Sequence, residues 1–188
     1  MYSGNGRSAR IGPGTDRRGI RGARLVVRAD PAEALQYAIT ALRGARFALD
    51  TTPRQPRLMA AAAPWVAQAL TIGRPTRGLW ASTPMFEYGD FPMNMIPLFW
   101  PRVALTLAIA CARNTDAGTE LVIYAHPSML RAGDRTNDSG PLMAKAYTAL
   151  QRRFGSSGVL LHHEPLDRVT DDGCPASAPF VRRQLDWS

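Results

Sequence analysis

The run RVALTLAIACARNTDAGTELVIYAH, residues 102–126, constrains the fold more than any other part of the chain. Val103, Leu105, Leu107 and Ile109 alternate with Ala104, Thr106, Ala108 and Ala110. Successive side chains of a strand point to opposite faces, so residues 103–111 read as a strand with one bulky and one small face. NTDAG supplies a turn, and GTELVIYAH (118–126) returns as the antiparallel partner. A face of alanine and threonine leaves space, either for a helix to lie close or for a cavity.

The elements around this hairpin follow from local signals. ARLVVRAD (23–30) is a short β-branched strand. Asp30, Pro31 and Glu33 then make a helix start of the capping-box kind. Leu35, Ala38, Ile39 and Leu42 form one apolar stripe, and Gly44 closes a helix over 31–43. RFALD (46–50) begins a second strand. In RLMAAAAPWVAQAL alanine favours helix, but Pro64 pushes Ala63 out of the α region, which predicts a helix from Pro64 to about Leu70. TRGLWASTPMFEY (76–88) reads as a strand that Pro84 demotes to an edge or a bulge. A second long helix, 139–154, starts near Asp138 or Ser139, carries Leu142, Ala146, Leu150 and Phe154 on one face, and stops at Gly155. GVLLHHEPL is a last strand, and the chain from Asp167 onward reads as an irregular tail.

Strand, helix, several antiparallel strands and helix, without βαβα alternation, predict an α+β fold. The expected architecture is a curved antiparallel sheet with two main helices packed on one face. Residues 1–22 form a disordered Arg/Gly-rich leader, 23–166 a single domain, and 167–188 the tail.

Charge is distributed unevenly. Of the eight surplus positive charges, six belong to residues 1–28, where seven arginines face Asp16 alone. The leader can bind phosphate through its guanidinium groups, or be a solvated segment whose charge is incidental. Lys145 is the only lysine, so the arginine excess also fits a GC-rich coding preference. No apolar block of a signal peptide is present, and the longest apolar run, Met95 to Ala112, is broken by Pro97, Pro101 and Arg102. A cytoplasmic protein without a membrane span is expected. Cys111 and Cys174, the only cysteines, read as two free thiols.

The sequence lacks GxxxxGK[ST], HExxH and GxSxG, and its GNG has no strand before it. His162 and Glu164 share one face of the last strand while His163 faces away; a metal would need a third ligand such as His126, and no spacing signature supports one. Asp167, Asp171 and Asp172 lack the pattern of a calcium loop. No cofactor and no metal is expected.

FPMNMIPLFWPRV (91–103) crowds methionine, proline and aromatic residues into a strand connection. Such a segment covers the core, or closes over a ligand or partner with adaptable methionines. Together, ARLVVRADPAEALQYAITAL, then RVALTLAIACARNTDAGTELVIYAH, then an amphipathic helix, resemble the START-like (helix-grip) superfamily of polyketide cyclases and lipid carriers. The resemblance implies an apolar ligand cavity between the sheet and helix 139–154. Trp80, Tyr88, Met95, Trp100, Tyr124 and His126 would be its lining. The expected function is a non-enzymatic binding domain for a small hydrophobic molecule. The alternative is an interaction protein that docks a protein partner through loop 91–101 and nucleic acid through the leader.

Overall fold

The structure, a computed structural model, describes residues 20–72, 105–127, 139–170 and 172–187. Along the chain these form β1 (Gly22–Val27), α1 (Pro31–Gly44), β2 (Ala48–Leu49), α2 (Arg54–Ala61), β3 (Val66–Ile72), β4 (Thr106–Thr115), β5 (Gly118–Pro127), α3 (Gly140–Ser156), β6 (Leu160–Leu166) and α4 (Ala178–Leu185). The strands build one open antiparallel sheet in the order β2-β3-β4-β5-β1-β6. The fold is α+β, as the order of elements predicts.

The hairpin β4–β5 sits at the middle of the sheet. Thr115 pairs with Gly118, and only Asp116 and Ala117 lie between them. Gly118 has φ 133°, a conformation that L side chains rarely adopt, and a Cβ there would press on the Val27 carbonyl oxygen. Alternation holds along β4. Ala108, Ala110 and Ala112 face one core, and Leu107, Ile109 and Cys111 face another on the opposite side of the sheet.

The first face carries α1 and α3. Asp30 caps α1 by accepting from the Ala32 N–H, and Leu35, Ala38, Ile39 and Leu42 are buried. α1 lies across β3, β4 and β5, and α3 lies beside it over β1 and β6. Ala108, Ala110 and Ala112 join Leu42, Met143, Leu150 and Phe154 in one buried cluster. Of the two uses for the small-residue face, close approach of a helix is the one observed, and the helix is α1. Burial of each such Leu or Phe contributes about 1.5–3 kcal/mol.

The second face differs from expectation. The chain after Asp167 is not irregular throughout: it contains α4, capped by Ser177, whose side chain accepts from the Phe180 N–H. Phe180, Val181, Leu185 and Trp187 cover Leu107, Ile109 and Tyr124 together with Leu58 of α2 and Trp65. An apolar sheet face left open to water would be unstable, and this segment is what closes it.

The helix expected from Pro64 to Leu70 is also corrected. Helix α2 lies upstream of the proline, and β3 begins at Val66. Seven residues of β3 pair with β4, and that ladder outweighs local alanine propensity. The strand over 46–50 shrinks to Ala48–Leu49, and below it Gln55 extends the edge pairing of β3. Its side-chain amide accepts from the Ala69 N–H at 2.7 Å and donates to the Ala67 carbonyl at 3.4 Å, as a neighbouring strand would. The strand expected over 76–88 and the loop 91–101 lie outside the described residues.

Candidate functional site

Tyr124 and His126 project from β5 onto the second face, so the sheet itself separates them from α3. A hollow beneath α3 therefore cannot have both as walls, because i and i+2 on a strand share a face and the facing positions Ile123 and Ala125 belong to the other core. Trp80, Tyr88, Met95 and Trp100 lie outside the described residues.

On the second face the two rings pack at 4.9 Å between centroids, and their polar ends meet the C-terminal segment. The Tyr124 hydroxyl donates to the Asp167 carbonyl at 2.8 Å. His126 Nε2 donates to the Ala176 carbonyl at 3.0 Å, and the His126 carbonyl accepts from the Trp187 indole N–H at 3.0 Å. Burial holds the imidazole at a pKa of about 4; the Ala176 bond opposes that shift and Arg182 adds to it. His126 is thus neutral at physiological pH and bonded at Nε2, a support for the C-terminal segment. Trp187 stands between His126 and Arg54, whose guanidinium lies 5.1 Å from the ring centroid while its Nε donates to Asp50 at 2.7 Å.

Gly22 pairs with Tyr124, and a Cβ built on it would collide with the tyrosine ring and the Ile123 carbonyl oxygen. The glycine lets the ring lie across β1 and reach Asp167.

The strand registers gather the chain's junctions at this end of the sheet. Ile72 pairs with Thr106, Thr106 pairs with Pro127, and the Ala125 N–H donates to the Arg21 carbonyl at 2.9 Å. Segment 1–19, both ends of segment 73–104 and the start of segment 128–138 consequently join the body at one end of β1, β5, β4 and β3, next to His126. The arginine leader and the segment bearing Trp80, Tyr88, Met95 and Trp100 share this attachment. Element order alone does not reveal that, since pairing register is a long-range property.

Other polar groups are engaged elsewhere. At the far end of the second face Glu120 accepts from Arg24 and from Arg113 Nε, the latter at 2.8 Å, and Arg113 stacks 4.2 Å from the Trp65 centroid. His162 and Glu164 do share a face, 3.9 Å apart, whereas His126 is occupied by Ala176. Among the described residues no three metal-ligating side chains converge. On the first face His163 Nδ1 lies 2.8 Å from the Tyr147 hydroxyl and 3.0 Å from Gln151 Nε2. Burial, reinforced by Glu164, pushes the Tyr147 phenol up. No helix among the described residues is long and apolar enough to cross a membrane.

The site belongs to an open antiparallel α+β sheet with helices on both faces. No family model matches the chain, and no curated protein or solved structure matches it either.

Proposed function

We propose that the protein is a non-enzymatic binding domain for a small apolar ligand, held at the sheet end where segments 1–19, 73–104 and 128–138 attach. The observation that carries this reading is the register Ile72–Thr106–Pro127, which anchors both ends of the methionine- and tryptophan-bearing segment beside Tyr124 and His126. Aromatic and methionine side chains are the material from which apolar ligand sites are built, and the segment that carries them in sequence is joined to this end of the sheet. The first face is filled by α1 and α3, which favours the sheet end over the space beneath α3. The likeness to START-like carriers in the order strand, helix, hairpin, helix favours the same ligand class.

Native mass spectrometry of the full chain tests it. A bound small molecule is expected, removed by organic extraction and lost in Trp80→Ala and Trp100→Ala but kept in Tyr147→Phe. A bare chain that also fails to enhance the fluorescence of an anilinonaphthalene dye refutes it. A second reading, interaction with nucleic acid, draws on the attachment of the arginine leader at the same end. It requires co-purifying nucleic acid that leaves with added salt and with deletion of residues 1–22.

A further inference from the structure

We propose that Cys111 and Cys174 are a reversible dithiol–disulfide pair whose oxidation staples the C-terminal segment to the middle of the sheet. The protein has two cysteines, 63 positions apart, and the fold brings their sulfurs to 3.7 Å. Cys111 stands on β4, held in the ladder between Ala67 and Val122, and is fully buried. Cys174 stands on the connection between β6 and α4, next to Gly173 at φ 80°, and its carbonyl accepts from the Ser177 N–H that begins the α4 cap. One sulfur is therefore fixed on a central strand, and the other sits on a connection that can adjust by the roughly 2 Å needed to reach bonding distance.

The chemistry has a direction. The hydrogen bond from Cys111 holds the Cys174 thiol below its ordinary value, while burial pushes Cys111 well up. Cys174 as thiolate attacks one sulfur of a low-molecular-weight disulfide and expels one thiolate, leaving a mixed disulfide. Cys111 gives its proton to the departing thiolate and attacks the Cys174 sulfur, and the second reagent thiolate leaves and takes a proton. Two protein S–H bonds are lost and one S–S bond forms; the reagent gains the two electrons and two protons and ends as two thiols. Both cysteines are buried in the second-face cluster, so reaction proceeds through local opening of the C-terminal segment. Once made, the bond holds Ala176 and α4 against His126 and Tyr124.

The full-length wild-type protein in a redox buffer of oxidised and reduced glutathione provides the test. The native chain is expected to lose two hydrogen atoms in intact mass and to yield one cross-linked peptide pair, Cys111 with Cys174. A reducing agent restores both thiols, and the oxidised form unfolds at a higher temperature than the reduced form. The equilibrium constant for cross-linking is expected to exceed that of the urea-unfolded chain on the order of a thousandfold, in line with the entropy of closing a loop of this length. Cys111→Ser and Cys174→Ser each abolish the cross-link. Should either variant fail to fold, the native-to-unfolded ratio in the wild type still decides. A native protein that keeps two free thiols, stops at the mixed disulfide, or cross-links no better than the unfolded chain overturns the proposal.

Discussion

Replacing Ala110 with leucine asks whether the first face is solid or hollow. Ala110 is fully buried, on the small-residue side of β4, in the cluster that includes Leu42, Met143 and Phe154. The substitution adds three carbon atoms at a position where α1 lies close. In a close-packed interior such an insertion forces side chains off their rotamers and shifts backbone, at about 1–3 kcal/mol. In a void the same atoms would be buried without displacing anything, and the gain would be about 2 kcal/mol at roughly 0.8 kcal/mol per buried methylene. The two arrangements thus predict opposite signs. For a chain of this length, destabilisation by 1–3 kcal/mol lowers the melting temperature by roughly 2–12 °C. Urea unfolding followed by circular dichroism gives the same quantity as a midpoint shift at unchanged slope. Ala149→Leu, on the exposed side of α3, is the control and should stay within about 0.5 kcal/mol. An Ala110→Leu protein as stable as wild type, or more stable, would refute the filled interior and restore a hollow under α1 and α3 as the ligand space.

Three further outcomes are expected. Because His126 titrates near pH 4 in the folded state and near 6.5 when unfolded, only the unfolded chain binds the proton between those values. Stability should therefore be unaffected above about pH 6.5 and fall by about 3 kcal/mol in total as the pH drops to 4, with His126→Gln flattening that slope in urea titrations; an unchanged slope would show that the imidazole is not buried. Trp187→Ala removes the indole that bonds the His126 carbonyl and packs on the second face, and should cost about 3–5 kcal/mol, read by thermal unfolding; a loss under about 1 kcal/mol would mean the C-terminal segment is not docked. Gly22→Ala forces the Tyr124 ring aside, so hydrogen exchange at the Asp167–Ala176 connection should quicken, whereas protection equal to wild type would count against the ring acting as its anchor.

Helix α1 could be read from Asp30, Pro31 and the Leu35–Leu42 stripe, since caps and 3.6-residue periodicity are local. The hairpin could be read as well, because residues two apart on β4 differ in size in a regular way. Helix α4 was open to the same reading: Ser177 with Pro179 two positions on marks a helix start, but the short apolar set Phe180, Val181 and Leu185 follows a stretch that contains Gly173 and Pro175. At Pro64 the local signal pointed the wrong way, because the pairing of β3 with β4 is decided by strands more than thirty residues apart.

By itself, then, the sequence determined the α+β class, the first helix and the central hairpin, all set by interactions within a few residues. Tertiary structure alone decided that α1 rather than α3 covers the alanine face, and that Tyr124 and His126 face the C-terminal segment. It also decided that Cys111 and Cys174 meet, and that leader and connector attach at one end of the sheet. These depend on which strand neighbours which and in what register, and register is chosen by burying both sheet faces at once. No window of adjacent residues contains that information.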